Sequence, residues 1–166
     1  MGFEITKDDL LLVETAYKKK EIFNGLLHGK DHIKHVADYA NKLLEQLTLS
    51  QGEIDVIKYS ILLHDSGRIS DKYDSNHHFE SCRIANDFIR DHNIDVNSKW
   101  VCDVITRHTK EDNAKSIVES VVRTADRLDV LRFPRAKVNE KLLDSFIAWK
   151  PVLVYAQERR KHNVME

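Results

Sequence analysis

Residues that interrupt helices are scarce in this sequence. Five glycines and two prolines stand among 166 residues, which argues against many short strands joined by tight turns. Long apolar runs are lacking too: nowhere do about 18 apolar residues follow one another, so no membrane-spanning helix is expected. These absences favour one all-α domain that covers residues 1–166.

Cysteine and net charge are also low. Cys82 and Cys102 make no disulfide framework and are interpreted as small core residues. Twenty-six basic residues balance 27 acidic ones, so neither nucleic acid nor an anionic membrane is expected as a partner. The N-terminus lacks the basic-then-apolar pattern of a signal peptide. We therefore expect a reducing, cytoplasmic location, and the oligomeric state stays open.

Apolar residues at helical spacing predict a compact bundle of six or seven helices. Thr6 is a candidate cap for the first, and Ser50 with Glu53 three residues later forms a capping box for the third. Pro151 is expected to kink or divide the last helix. The predicted helices cover residues 7–20, 31–47, 51–65, from about 77 to 92, from 97 or 98 onward, 114–131 and 139–162.

Histidine is abundant, with nine residues, and one of them ends an apolar run in "YSILLHDSGR". Ile57, Ile61 and His64 follow steps of four and three, so His64 continues a buried helical stripe. Asp65 lies at the edge of that stripe, where a carboxylate is costly unless it is paired or bound to a cation. A divalent metal ion would explain both residues, since imidazole nitrogen and carboxylate oxygen are ordinary metal ligands.

Two other helices offer further ligands at the border of their apolar faces. His32 precedes Val36 by four residues, and Asp126 follows Val122 by four. Helix bundles build metal sites from inward side chains on facing helices. The candidate ligand set is therefore His32, His64, Asp65 and Asp126.

Other interpretations of these residues remain open at this point. A histidine beside apolar residues usually makes a core hydrogen bond, and Asp126 could pair with Arg123 or Arg127. His28, His32 and His35 share a helical face and could form a different metal cluster.

The order of "DHIKHVADYA", "LLHDSGR" and "TADRLDVLR" resembles the HD superfamily of metal-dependent phosphohydrolases, over residues 28–142. The resemblance implies a helical HD-type domain with a C-terminal helical extension over 143–166. It also implies that His32, His64, Asp65 and Asp126 bind a divalent ion, which could be Mn, Fe, Co, Ni, Zn or Mg.

The stretch "HDSGRISDKYDSNHHFESCRIA" resembles bacterial HD proteins of the HD-x-G-R type. By that resemblance His77, rather than His78, and His108 are candidates for binding a second metal ion. Thr124 stands where those proteins commonly have an Asp, which puts one supporting contact in doubt.

The implied chemistry is hydrolysis of a phosphate ester by metal-activated water. Asp65 would orient the water and Arg68 would hold the phosphate, which gives both a catalytic role. Cationic donors should surround the metal. The candidates for binding the substrate phosphate are Arg68, Lys72, Arg107, Arg127 and Arg132.

We therefore expect a phosphohydrolase that acts on a small phosphorylated molecule, with a nucleotide as the favoured class. Two alternatives keep the helical fold. One is a di-iron oxygenase that uses the additional histidines, and the other is a regulatory module that binds a nucleotide without turnover.

Overall fold

The computed structural model describes residues 2–72, 74–144 and 147–165, and all regular secondary structure in these ranges is helical. This confirms the predicted all-α class, with eight α-helices rather than six or seven. None of them is both long and apolar enough to cross a membrane. Two short 3-10 helices, Asp129–Arg132 and Glu140–Leu142, lie between the last two α-helices. The α-helices are α1 (Lys7–Glu14), α2 (Lys20–Phe23), α3 (Lys30–Leu44), α4 (Gln51–Leu63), α5 (His77–Asp91), α6 (Ser98–Arg107), α7 (Ile117–Leu128) and α8 (Lys150–Met165).

Capping side chains determine where several helices begin. Thr6 accepts a hydrogen bond from the backbone N–H of Asp9, whose carboxylate accepts one from Thr6 in return. Ser50 and Glu53 form the same reciprocal pair at α4, and the side chain of Asn97 caps α6. Each cap satisfies N–H groups that the first turn of a helix leaves unbonded.

Several predicted helix boundaries are wrong, above all that of the last helix, which begins at Lys150 rather than near residue 139. The first helix ends at Glu14, because the chain then turns and the N–H of Lys18 bonds to the carbonyl of Ser66 at 2.9 Å. Pro151 neither kinks nor divides a helix, because it is the second residue of α8. A proline in the first helical turn removes no helical hydrogen bond.

The core lies between α3, α4 and α7, which pack against one another, while α6 covers α4 and α5 packs along α6. The apolar stripe of α4 is buried as predicted, with Ile54, Ile57 and Ile61 each at most 1% exposed. His64 follows on the same stripe and is also 1% exposed. A polar side chain at the end of a buried stripe needs partners, and the surrounding helices provide them.

A disulfide joins α5 to α6. Cys82 and Cys102 are bonded, with their Cα atoms 4.7 Å apart, so the prediction that they are separate core residues is wrong. Both lie partly exposed where the two helices run side by side, a contact that sequence spacing does not reveal.

Candidate active site

Three helices bring the four predicted ligand residues to one point. His32 lies in the first turn of α3, His64 ends α4 with Asp65 directly after it, and Asp126 lies in the last turn of α7. The packing of these helices against one another makes residues meet that are far apart in the chain. His32, His64, Asp65 and Asp126 are called the four-residue centre below.

Four side-chain atoms of this centre face one another at short range. The Nε2 atom of His32 lies 2.9 Å from Oδ1 of Asp126 and 3.2 Å from Nε2 of His64. The Nε2 atom of His64 lies 3.2 Å from the same Asp126 oxygen and 3.2 Å from Oδ2 of Asp65. Ligands held about 2.0–2.1 Å from one ion would be separated by about 2.9–3.4 Å. The centre therefore has the donor types and the spacing that a divalent metal ion requires.

A second cluster shares Asp65 with this centre. The Nε2 atom of His77 lies 3.3 Å from Oδ1 of Asp65 and 3.3 Å from Nε2 of His108. Burial and the nearby charge of His64 lower the pKa of His108 to about 3, so its imidazole is neutral and keeps a free lone pair. Asp65 thus directs one carboxylate oxygen to each cluster. The residues that could hold a second ion are Asp65, His77 and His108.

His78 and His28 lie near predicted ligands in the sequence, but only His28 reaches the site. His78 packs its ring against Phe79, with ring centroids 4.1 Å apart, and it is His77 that reaches Asp65. His28, which was considered only for a different cluster with His32 and His35, also reaches the site: its Nδ1 atom lies 3.4 Å from Oδ2 of Asp65. It precedes α3 in a loop, so helical periodicity could not place it, but its spacing of four residues from His32 was a usable signal.

Each buried imidazole of the site is oriented through its Nδ1 atom. Nδ1 of His64 bonds to the carbonyl of Ile61 at 2.8 Å, and His77 and His108 likewise bond to carbonyls three residues before them. Nδ1 of His32 instead bonds to Oδ2 of Asp129 at 2.6 Å. Because a carbonyl only accepts, Nδ1 carries the proton and Nε2 faces the centre.

Burial and charge act in opposite directions on the pKa values of the centre. Burial alone would raise the pKa of Asp65 and of Asp126, yet the charge of His64 and hydrogen bonds from imidazoles hold both pKa values well below the usual range. Burial alone would lower the pKa of His32, yet hydrogen bonds to Asp126 and Asp129 raise it to about 9. Protons thus occupy the lone pairs that a metal ion would use, so protons and metal compete for this site.

The five predicted phosphate-binding cations fall into separate environments. Arg68, Arg127 and Arg132 line a cavity of about 310 Å³ beside the four-residue centre. Arg107 instead lies in a different pocket, where its Nε bonds to Glu119 at 2.5 Å. Lys72 is not among the residues that line the cavity, and its carbonyl accepts a hydrogen bond from Arg68 at 3.3 Å.

Arg68 is tied to the centre itself. Its Nε donates to Oδ1 of Asp65 at 2.9 Å, and its Nη1 donates to the carbonyls of Ser70 and Lys72. These contacts fix the carboxylate of Asp65 from outside the centre and also hold the loop after α4 in place. Arg68 therefore orients Asp65 in addition to facing the cavity.

The cavity is lined by charged, polar and apolar side chains. Of the centre, His32, Asp65 and Asp126 line it, together with His28. Four apolar side chains also line it and are called the apolar wall below, namely Leu27, Val130, Phe133 and Leu142. A cavity with both kinds of lining suits an anionic group that carries an organic substituent.

A match to a protein family agrees with phosphate chemistry. Residues 26–164 match the family model of the SidE phosphodiesterase (PDE) domain. No curated protein and no solved structure matches the chain. The matched range contains the four-residue centre, the second cluster and the residues that line the cavity.

The resemblance to the HD superfamily is wrong as a family assignment. It rests on three short blocks that specify a few positions, whereas the family model covers most of the chain and describes another family. A His, a His-Asp doublet and a later Asp on packed helices therefore do not by themselves distinguish the two. The chain belongs to the SidE phosphodiesterase domain family.

Proposed function

We propose that this protein is a metal-dependent phosphodiesterase that hydrolyses a phosphodiester to a phosphate monoester and an alcohol. Membership of a phosphodiesterase family supports the reaction class. The metal dependence rests on one observation: the Nε2 atoms of His32 and His64 each lie 2.9–3.4 Å from one carboxylate oxygen of Asp65 and one of Asp126.

The four-residue centre would hold one ion, and Asp65 with His77 and His108 would hold a second. When bound, a divalent ion supplies charge that polarises a phosphoryl oxygen and makes water a stronger acid. The protein supplies the surroundings: His32, His64 and Asp65 are buried, and three of the four residues of the centre line the cavity, which limits competing solvent.

Cationic side chains at the cavity would bind the non-bridging oxygens of the phosphodiester. Arg132 is held between Oδ2 of Asp129, 3.1 Å from its Nε, and the carbonyl of Leu27, 2.7 Å from its Nη2. Arg127 donates to the carbonyls of Leu142 and Lys110. Both guanidinium groups are thereby fixed at the cavity, so binding the substrate would cost them little conformational entropy.

His28 is the side chain best placed to transfer a proton to the leaving alcohol. Its side chain is 22% exposed and lines the cavity; its Nδ1 atom lies 3.4 Å from Oδ2 of Asp65, and its Nε2 atom lies 3.3 Å from the carbonyl oxygen of Asp71, which the leaving oxygen would replace. A general acid must reach the leaving oxygen directly or through one water. The imidazoles of His32 and His64 are nearly fully buried and face the centre instead.

The cavity volume limits the substrate to a small molecule or a small part of a larger one. About 310 Å³ lies at the lower end of the range of ligand pockets. It accommodates a phosphodiester and one organic substituent against the apolar wall. We therefore propose a small phosphorylated substrate, with a nucleotide as the favoured class.

The test is hydrolysis of bis(4-nitrophenyl) phosphate and of a panel of cyclic and linear nucleotide diesters. Protein stripped with a chelator should be inactive, and added Mn²⁺, Co²⁺, Ni²⁺, Fe²⁺, Zn²⁺ or Mg²⁺ should restore the rate. Oxygen consumption should stay at background with iron, because the reaction consumes only water.

Arg83→Ala serves as the matched control, because Arg83 is an exposed residue of α5 that pairs with Glu80 and Asp87 far from the cavity. Its rate should equal that of the wild type. A rate that survives complete metal removal would refute the metal dependence and leave the imidazoles as acid and base. Tight nucleotide binding without any product would refute the enzymatic function.

A further inference from the structure

Asp129 is a buried carboxylate that lies outside the four-residue centre. It is the first residue of the 3-10 helix after α7 and is 2% exposed. Its Oδ2 atom contacts Nδ1 of His32 at 2.6 Å and Nε of Arg132 at 3.1 Å, and its Oδ1 atom lies 3.2 Å from Nδ1 of His35. The ring of His32 stands between Asp129 and the centre, so Asp129 does not touch the metal position.

His32 is oriented differently from the other three imidazoles of the site. His64, His77 and His108 each bond through Nδ1 to the carbonyl three residues earlier. For His32 the corresponding carbonyl belongs to Gly29, and the N–H of Ile33 already bonds to it at 3.0 Å. Nδ1 of His32 does not bond to this carbonyl, and it bonds to a carboxylate from another element instead.

A carboxylate acceptor does more than a carbonyl would. A charge-assisted hydrogen bond is shorter and stronger than a neutral one, and it increases the basicity of the nitrogen on the far side of the ring. We propose that Asp129 is a positioning residue that holds the proton of His32 on Nδ1 and directs Nε2 into the centre. This proposal rests on the proposed metal function for its effect on affinity, and on the hydrogen bond alone for the orientation of the ring.

The same carboxylate connects the centre to the cavity wall. Arg132, which pairs with Asp129, lines the cavity and binds the carbonyl of Leu27. Loss of the Asp129 charge should therefore weaken metal binding through His32 and substrate binding through Arg132. A purely structural role would predict neither effect once the protein is folded.

The experiment uses Asp129→Asn, which keeps the volume of the side chain and removes its charge. In the wild type, ¹⁵N-labelled protein should show an exchange-protected, downfield imidazole N–H signal assigned to Nδ1 of His32, with or without metal. This signal should disappear or move upfield in Asp129→Asn. The Kd of Zn²⁺, measured by calorimetry, should rise about 10–100-fold, as for other residues that support a metal-binding histidine.

Asp38→Asn is the control. Asp38 lies on α3, as His32 does, but on the face that packs against α8. It accepts two hydrogen bonds, from Tyr155 at 2.6 Å and Arg159 at 2.7 Å. Its variant should keep both the downfield signal and the Zn²⁺ affinity, even if its melting temperature falls as much as that of Asp129→Asn.

Three results would overturn the proposal: no downfield His32 signal in the wild type, an unchanged signal in Asp129→Asn, or an unchanged Zn²⁺ affinity in that variant. If the wild type bound no Zn²⁺, the metal function would fail. The His32 signal in the wild type and in Asp129→Asn would then decide the orienting role of Asp129 by itself.

Discussion

Two regions of this protein bury charged side chains, and they differ in which groups surround the buried charges. Arg107, Glu119 and Arg123 form what we call the guanidinium cluster. The carboxylate of Glu119 is 3% exposed and is bonded by Arg107 at 2.5 Å and by the N–H of Lys115. Arg123 donates to the carbonyls of Lys110 and Asp112 at 2.6 and 2.5 Å. Each buried charge there meets an opposite charge or a carbonyl dipole.

The four-residue centre differs, because it brings two imidazole nitrogens close to each other. The Nε2 atoms of His32 and His64 face each other at 3.2 Å, and carboxylate oxygens of Asp65 and Asp126 close the group. Nitrogens that face each other at this distance are favourable only with a proton or another cation between them. A buried cluster whose charges are paired within the protein is therefore structural, whereas a cluster that needs an added cation between its nitrogens is a binding site.

The largest expected effect separates the two regions by activity. Asp65→Asn should lower the phosphodiesterase rate by about 10³-fold or more, because Asp65 contributes an oxygen to both clusters. Glu119→Gln, measured under conditions where it is folded, should keep kcat/KM within about threefold, since it lies outside the cavity.

The measurement is kcat/KM together with metal content by elemental analysis. Asp65→Asn should contain less metal than the wild type, and Glu119→Gln should contain the same amount. Equal losses of activity in both variants would mean that the two regions do not differ in function.

The free energy of unfolding, in contrast to activity, should depend strongly on the guanidinium cluster. Glu119→Ala leaves the guanidinium groups of Arg107 and Arg123 without their carboxylate, and breaking a buried ion pair costs about 3–5 kcal/mol. Asp112→Ala is the control, because Asp112 pairs with Arg107 at 2.9 Å but its side chain is 57% exposed. That change should cost at most about 1 kcal/mol. Urea unfolding measures both, and similar losses would argue against the structural role of Glu119.

The pH dependence of stability should also distinguish the regions. The folded-state pKa of His32 is raised to about 9 from 6.5, so its contribution is fully present below about pH 6.5 and is lost as the pH rises toward 9. Metal-free protein should therefore lose unfolding free energy over this range, on the order of 3 kcal/mol at most. Metal affinity should rise over the same range, because the ion needs unprotonated imidazoles.

Chelator-treated wild type and His32→Gln, unfolded in urea at several pH values, provide the test. The variant should show a flatter dependence between pH 6.5 and 9 than the wild type. Identical curves would remove His32 as the origin of the effect.

Local pattern predicted much of the centre because its residues extend apolar stripes. His64 and Asp126 lie in helices whose buried faces follow the helical period, so their direction was readable from spacing. Asp129 escaped this reasoning because it lies in a 3-10 helix, and His28 was expected on a helical face with His32 and His35 but lies in a loop. Neither has a stripe to extend, and both are recognised only once α3, α4 and α7 are packed together.

Tertiary partners were beyond the reach of the sequence. Arg107 was a candidate for binding the substrate phosphate because cationic donors should surround the metal, but a charge does not reveal its partner, here Glu119. The bond between Cys82 and Cys102 depends in the same way on how α5 and α6 lie side by side.

The smallest predicted effects concern two glycines at either end of α4. A Cβ atom on Gly67 would lie 2.5 Å from the backbone nitrogen of Ser81 and 2.8 Å from the carbonyl carbon of Glu80. Gly67→Ala should therefore push α5 away and carry His77 off Asp65, at a cost of about 1–3 kcal/mol. The activity should fall as well, although residue 67 is not itself in the centre.

Gly52→Ala is the matched control, because a Cβ atom there would meet only the hydroxyl oxygen of Ser50, at 3.9 Å. Alanine in the first turn of α4 should raise the unfolding free energy by about 0.5 kcal/mol and leave the rate unchanged. Thermal unfolding and the diester assay measure both variants. If Gly67→Ala kept full activity while losing stability, the position of His77 would not matter for turnover, and the second cluster would belong with the guanidinium cluster as a structural feature.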